Sequence, residues 1–232
     1  IVYQSLEQGN MEIFITDPKF SKSERLTFNS IDESHPSISP KNILICTEGN
    51  QNYNETKVAI INLNNGQRTH IPKELNNFGA IPSFSKDWSK IAIAEWTINK
   101  NEKMTNSYIA IYNIENLNLD RYIKNNRQNW RPVFSPSEQK IAYISNINEQ
   151  YDVIIYDLET KKETNVTKTN FNEWDPWFSP LGDRIIYCAN PDGNWDLFEY
   201  NINTNTRIRI TKTKGNEWDP FYSKNGDSVL YA

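Results

Sequence analysis

Two aspartates occupy the same place in two copies of one phrase, and a pair of carboxylates could perform acid–base chemistry. Asp175 lies in Asn-Glu-Trp-Asp-Pro-Trp-Phe-Ser, residues 172–179, and Asp219 lies in Asn-Glu-Trp-Asp-Pro-Phe-Tyr-Ser, residues 216–223. A carboxylate that returns with a repeat typically accepts backbone N–H bonds at a turn. We therefore predict a structural role for both aspartates and assign no catalytic residue.

Other signatures of catalysis or cofactor binding are missing from the sequence. His35 and His70 are its only histidines, and no group of His, Cys and Asp has the spacing of metal ligands. With 8 scattered glycines, the chain contains neither a Gly-x-Ser-x-Gly nucleophile turn nor a Gly-rich phosphate loop. The sequence thus predicts a protein that is not an enzyme and that uses no metal and no cofactor.

The phrase around Asp175 recurs along the whole chain. Weaker copies are Asn-Trp-Arg-Pro-Val-Phe-Ser at residues 129–135, Ile-Pro-Ser-Phe-Ser at 81–85 and His-Pro-Ser-Ile-Ser at 35–39. Their prolines stand at positions 36, 82, 132, 176 and 220, so the steps are 46, 50, 44 and 44 residues. A period of about 40–50 residues with strand-like contents is typical of a propeller.

Each repeat contains four short segments with strand patterns, separated by turn residues such as Pro191-Asp192-Gly193. No segment of 12 or more residues keeps a helical period of apolar residues. We predict an all-β fold, a β-propeller of four-stranded blades. The predicted second strands are Ile1–Ser5, Ile43–Thr47, Ile91–Glu95, Ile141–Ser145, Arg184–Cys188 and Ser228–Tyr231. The predicted fourth strands include Arg25–Thr27, Asn165–Thr167 and Arg207–Thr211.

The repeats run through residues 1–232, which we interpret as a single propeller domain. The sequence begins at a second strand and ends after another, so both termini lie inside partial blades. Four complete units stand between them, which favours six blades and permits five. Residue 1 is an isoleucine without a preceding signal segment, so we expect this sequence to be a processed or excised part of a longer chain.

Charge and hydropathy exclude two classes of partner. The 25 basic and 29 acidic residues give a net charge of −4, and no Lys/Arg-rich block is present, so nucleic-acid binding is not expected. No apolar run approaches the ~18 residues that would span a membrane. Cys46 and Cys188 sit in apolar strands of different repeats and are predicted to be buried free thiols.

Three tryptophans mark the candidate binding face. Trp130, Trp174 and Trp218 stand two residues before repeat prolines, where the other two repeats have Ser34 and Ala80. The fold therefore does not require a tryptophan there, and two interpretations stay open. The rings wedge between blades, or they line a ligand-binding mouth with Arg131, Asp175, Asp219 and His35. The long Thr47–Lys57 and Glu95–Tyr108 loops are expected on the same face.

These residues resemble the TolB-type propeller repeat, a distant relative of the WD-type repeat. Arg25-Leu26-Thr27 is similar to the opening of that repeat, Asp175-Pro176-Trp177-Phe178-Ser179-Pro180 to its central phrase and Asp192-Gly193-Asn194-Trp195-Asp196-Leu197-Phe198 to its third strand. The resemblance covers nearly the whole chain. It departs from the family at Trp88 and Glu138, which stand where the family tends to have Asp-Gly.

The resemblance implies a non-enzymatic binding module that acts as a protein–protein scaffold of the bacterial cell envelope, periplasmic or secreted, with a protein or peptide partner. One alternative is recognition of a glycan or peptidoglycan fragment by the tryptophan rings. Another is a substrate-gating propeller of a prolyl-oligopeptidase-like hydrolase. Oligogalacturonate lyases share such repeats, but a metal site of their kind would need more histidines than this chain has.

Overall fold

The computed structural model describes residues 1–7, 9–17, 19–49, 55–72, 77–98 and 106–232. Its strands are β1 Val2–Glu7, β2 Asn10–Thr16, β3 Ser23–Arg25, β4 Glu33–Ile38, β5 Ile43–Glu48, β6 Lys57–Asn62, β7 Arg68–Ile71, β8 Asn77–Phe84, β9 Lys90–Thr97, β10 Tyr108–Asn113, β11 Leu119–Ile123, β12 Asn129–Phe134, β13 Lys140–Ile147, β14 Gln150–Asp157, β15 Glu163–Asn165, β16 Glu173–Phe178, β17 Arg184–Ala189, β18 Asp196–Asn201, β19 Thr206–Arg209, β20 Phe221–Tyr222 and β21 Val229–Leu230. The described residues contain no helix.

The strands form four complete four-stranded sheets and two partial ones. The complete sheets are β4–β7, β8–β11, β12–β15 and β16–β19, and the partial sheets are β1–β3 and β20–β21. Every pairing joins strands that follow one another along the chain, and all are antiparallel. The predicted fold class, an all-β propeller for which five blades were allowed as well as six, is confirmed.

Residue contacts divide the chain into two compact units. Unit 1 consists of Ile1–Phe84 and Lys90–Lys124, and unit 2 of Ser85–Ser89 and Asn125–Ala232. Unit 1 therefore holds the sheets from β1 to β11, and unit 2 holds those from β12 to β21. The two predicted long loops include residues 50–54 and 99–105, which lie outside the described residues.

The second strand of each complete sheet is the most deeply buried part of that sheet. β5, β9, β13 and β17 are buried along nearly their whole length, without the alternation of a half-exposed strand. This explains their continuous apolar runs, because both of their faces are covered. Cys46 and Cys188 are buried free thiols on β5 and β17, as predicted, and burial raises the pKa of each thiol.

The fourth strands end earlier than predicted. β3, β15 and β19 finish at Arg25, Asn165 and Arg209, two residues before the predicted ends. At this point a threonine hydroxyl, instead of a backbone carbonyl of the fourth strand, accepts the hydrogen bond from the third strand. The hydroxyls of Thr27, Thr167 and Thr211 accept the N–H groups of Ile13, Val153 and Leu197 at 3.0, 3.0 and 2.8 Å.

Candidate functional site

The residue before each repeat proline adopts the same left-handed backbone conformation. The φ angles of His35, Ile81, Arg131, Asp175 and Asp219 lie between 49° and 57°. In β4, β8, β12 and β16 the register with the next strand shifts across this residue and its proline, which marks a β-bulge. Bulges re-aim side chains, and a positive φ is uncommon for residues other than glycine. Because the bulge recurs, it belongs to the repeat rather than to one site.

In unit 2 the bulges align three charged side chains from successive repeats. Nε of Arg131 lies 2.8 Å from Oδ1 of Asp175, and Nη1 of Arg131 lies 2.9 Å from Oδ1 of Asp219. The backbone N–H of Asp219 donates to Oδ2 of Asp175 at 3.2 Å. The predicted site residues Arg131, Asp175 and Asp219 are thus brought together as a ladder of ion pairs, which we call the charge ladder.

The two aspartates of the charge ladder have different surroundings. The side chain of Asp175 is 4% exposed and that of Asp219 is 62% exposed. Burial raises the pKa of Asp175 to about 6, and the nearby Arg131 guanidinium partly offsets this increase. The Asp175 carboxylate accepts a backbone N–H from the next repeat, which agrees with the structural role that its recurrence suggested.

The three predicted tryptophans differ in exposure. Trp130 is buried, whereas Trp174 and Trp218 are partly exposed. Trp174 packs edge-on against Tyr151 with 5.0 Å between ring centroids, and Trp218 packs against Trp195 at 4.5 Å. Tyr151 lies near the start of β14, the third strand of the repeat before Trp174. Trp195 directly precedes β18, the third strand of the repeat before Trp218. Trp174 and Trp218 therefore each pack against the preceding repeat and stay partly exposed.

Trp174, Trp195 and Trp218 share one apolar neighbourhood in unit 2. All three pack against a buried cluster of Ile186, Cys188, Leu197 and Tyr222. Trp195 was not among the predicted site residues, although it stands in the same kind of repeated phrase. Trp177 was also missed, and its ring is 42% exposed on β16. The signal for Trp177 was available, because it directly follows the repeat proline Pro176.

His35, the remaining predicted site residue, belongs to unit 1. Its backbone N–H donates to Oε1 of Gln4 at 2.7 Å, and its Nδ1 lies 3.0 Å from the Ser34 hydroxyl. Ile81 makes the matching contact in the next repeat, where its N–H donates to Oγ1 of Thr47 at 2.8 Å. The backbone N–H of the bulge is therefore satisfied by a side chain of the preceding repeat in both cases.

Among the described residues, no group of three or more His, Cys, Asp or Glu side chains could hold a metal ion. In the same part of the chain there is no helix of the length and apolarity that crossing a membrane requires.

Solved structures with this fold include proteins of different kinds. A protein assigned as TolB from Agrobacterium tumefaciens superposes with a TM-score of 0.76 at 18% identity, over 90% of this chain and 73% of that one. TolB from Acinetobacter baumannii gives 0.73 at 19% identity, over 93% of this chain and 52% of its own length. An oligogalacturonate lyase in complex with manganese gives 0.67 at 11% identity, over 94% and 63%.

Sequence comparison identifies the family. None of the curated proteins compared with this sequence is significantly similar to it. The family model described as the TolB beta propeller domain matches residues 95–232, which is more than half of the chain. The chain belongs to the TolB beta propeller domain family.

Proposed function

We propose that this chain is a non-enzymatic binding module, a scaffold that recognises a protein or peptide partner in the bacterial cell envelope, in the periplasm or after secretion. The whole of residues 1–232 acts as one propeller domain in this proposal. In unit 2 the proposed partner-binding residues are Trp130, Trp174, Trp218, Arg131, Asp175 and Asp219, and in unit 1 the proposed residue is His35.

The observation that carries the proposal is the partial exposure of Trp174 and Trp218 within the unit that also holds the charge ladder. A tryptophan ring that already packs against its own chain has little conformational entropy left to lose when a partner covers its exposed part. Tryptophan and arginine are also the residues most often found at interface hot spots. The exposed carboxylate of Asp219, fixed by Arg131, is available to accept N–H groups of a partner.

The surroundings of the charge ladder support binding rather than catalysis. The Asp175 carboxylate is occupied by Arg131 and by the N–H of Asp219. A general base must reach the proton that it removes. Asp175 is instead buried beneath its partners, so it is suited to hold Asp219 and Arg131 in place.

A photo-crosslinking experiment tests the proposal. A photoreactive amino acid replaces Asp219 in the protein as its source cells make it, and those cells are irradiated. Thr204, exposed in a turn of the same unit, carries the photoreactive group in the control. We expect a discrete protein adduct at position 219 that is absent at position 204 and is lost when Trp218→Ala is added.

Other outcomes would replace the proposal. The same adducts at both positions, or adducts unaffected by Trp218→Ala, would refute a partner-binding face here. Peptidoglycan fragments that quench tryptophan fluorescence in the purified chain, without any protein adduct, would favour the glycan alternative. An adduct formed within the same protein, to a peptidase domain joined to this chain, would favour the substrate-gating alternative.

A further inference from the structure

One structural arrangement occurs three times among the residues that the structure describes. In each copy, an acidic residue on a third strand faces a residue on the fourth strand and a threonine two positions later. The equivalence follows from the register, because Arg25 pairs with Phe14, Asn165 with Ile154 and Arg209 with Phe198. The three copies are Glu12, Arg25 and Thr27; Asp152, Asn165 and Thr167; Asp196, Arg209 and Thr211.

Two of the copies hold a guanidinium in the same way. In unit 1, Nη2 of Arg25 lies 2.6 Å from Oε1 of Glu12, and its Nε–H donates to the Thr27 carbonyl at 2.6 Å. In unit 2, Nη2 of Arg209 pairs with Asp196, and its Nε–H donates to the Thr211 carbonyl at 3.1 Å. Glu12 and Asp196 are fully buried, so the guanidinium compensates a buried negative charge.

The third copy has an amide where the others have a guanidinium. Nδ2 of Asn165 donates to Oδ2 of Asp152 at 2.8 Å, but an amide carries no positive charge. The buried Glu173 shares the Thr167 hydroxyl with Asp152, at 3.0 and 3.1 Å from Oγ1. Neither carboxyl group forms an ion pair with a basic residue in the part of the chain that the structure describes.

The missing charge affects protonation of this acid pair. The Thr167 hydroxyl has one proton and cannot donate to Asp152 and Glu173 at once. A protonated Glu173 would relieve this conflict by donating to a neighbouring oxygen. In agreement, burial and the adjacent Asp152 raise the pKa of Glu173 to about 8.

A cleft opens beside Asp152 and Asn165. Its volume is about 410 Å³. It is lined by Ile147, Asn148, Gln150, Asp152, Asn165, Lys168 and Thr169. The exposed Lys168 does not replace the missing arginine, because the copy that has Arg209 also has a lysine, Lys212, at this position. The cleft thus lies where a guanidinium stands in the sister repeats.

A second buried polar group faces the same side of the sheet. Ser145 lies directly opposite Asp152 in the β13–β14 pair, and directly opposed residues project from the same face. Its hydroxyl is fully buried and has no hydrogen-bond partner among the described residues. An unsatisfied buried hydroxyl beside an uncompensated carboxyl pair indicates a place for a ligand that brings hydrogen-bond donors.

We propose that this cleft binds the guanidinium group of an arginine side chain carried by a partner protein, in the position that Arg25 and Arg209 occupy in the sister repeats. The guanidinium would donate to Asp152 and compensate the acid pair. Guanidinium is favoured over ammonium because both sister sites hold it through two differently placed N–H groups. The site does not involve the tryptophans or the charge ladder, so it stands independently of the function proposed above.

The test compares a charged and a neutral peptide of the same shape. Acetyl-Gly-Arg-Gly-amide and its citrulline counterpart are titrated into the purified chain near neutral pH and followed by the amide NMR signals of Ser145 and Thr169. We expect the arginine peptide to bind at least tenfold more tightly than the citrulline peptide. Free arginine should bind more weakly than the peptide, because a partner protein is the proposed source.

Two variants locate the site. Asn165→Arg places the sister residue in the cleft and should abolish the preference for the arginine peptide. Thr164→Arg adds the same charge at the neighbouring exposed position, on the opposite face of β15. This control variant should still prefer the arginine peptide. Equal binding of the two peptides to the parent chain, or an unchanged preference in Asn165→Arg, would overturn the proposal. Binding of free arginine as tight as that of the peptide would overturn the assignment to a partner protein.

Discussion

The repeat that carries Arg209 and the repeat that carries Asn165 have the same strands and registers but compensate their buried acids differently. In the first, Asp196 pairs with the Arg209 guanidinium, and Glu217 accepts the hydroxyl of Thr211 at 2.8 Å. In the second, Asp152 has only the Asn165 amide, and it shares Thr167 with Glu173. The Arg209 guanidinium neutralises the buried carboxylate of the first repeat, whereas the carboxyl pair of the second repeat favours a bound proton.

This difference shows what the repeat requires and what it leaves free. The position of the acid is fixed by the fold, since the threonine hydroxyl that caps the third strand lies next to it in both repeats. The means of compensation is not fixed, because removing a carboxylate from water can be balanced by an opposite charge or avoided by protonation. A repeat that lacks the cation can therefore acquire sensitivity to pH and to cationic ligands without a change of fold.

Breaking the ion pair of the first repeat should have the largest effect. Arg209→Asn makes this repeat resemble the second one and leaves Asp196 buried without a counter-charge. We expect a marked loss in the free energy of unfolding, measured by urea denaturation, because Asp196 stays buried and loses its counter-charge. Arg207→Asn, a change in the same strand that leaves the pair intact, is the control. A loss no larger than that of the control would show that Arg209 does not compensate Asp196.

Removing the ionisable acid of the second repeat should flatten the pH dependence of stability. The pKa of Glu173 is about 8 in the folded chain and 4.5 in an unperturbed side chain, so the folded state holds more protons between these values. Its contribution to the free energy of unfolding therefore falls as pH rises through this window, by about 3 kcal/mol between pH 5 and 8. Among the described residues, the titratable groups that face Glu173 are Asp152 from β14 and Tyr187 from β17.

The measurement is urea denaturation of the parent chain and of Glu173→Gln at pH 5 and pH 8. Glutamine keeps the shape and can accept the threonine hydroxyls, but it cannot ionise. We expect the two proteins to have similar stability at pH 5 and the variant to be more stable at pH 8. The increase in pKa of Asp175 is present in both proteins and cancels in the comparison. Parallel pH profiles would contradict a protonated Glu173.

Adding the missing cation to the second repeat should have a smaller effect. Asn165→Arg places a guanidinium beside Asp152, as Arg209 stands beside Asp196, and should raise the free energy of unfolding by about 1–2 kcal/mol at pH 8. Thr164→Arg is the control for added positive charge. A variant less stable than this control would mean that the cleft cannot accommodate the arginine in the sister geometry.

The repeated phrase made the sheets predictable from the sequence. The second strands of the four complete sheets occur where their apolar runs placed them, because these strands are buried on both faces. The fourth strands were displaced by two residues, since their ends are decided by the hydroxyls of Thr27, Thr167 and Thr211 rather than by backbone pairing. The pattern of residue types does not show where a threonine hydroxyl replaces a backbone carbonyl as the hydrogen-bond acceptor.

The candidate site was predictable only in part. The recurrence of Asp175 and Asp219 at one repeat position indicated their structural role, and the ladder with Arg131 follows from that shared position. The different exposure of Trp130 and Trp218 was not predictable, because it depends on which side-chain ring of the neighbouring repeat packs against each tryptophan. The acid pair of Asp152 and Glu173 was missed, since these residues are 21 positions apart and meet only when two blades pack together.

Whether the half-exposed tryptophans bind a partner is tested most directly by an affinity measurement. The protein captured through position 219 is purified, and its dissociation constant is measured by calorimetry for the parent chain and for Trp218→Ala, at a temperature where thermal unfolding shows both to be folded. We predict that binding weakens at least tenfold, in line with the loss of about 2 kcal/mol typical of a hot spot. Equal affinity, or a variant that no longer folds, would contradict a binding role and identify the ring as packing between repeats.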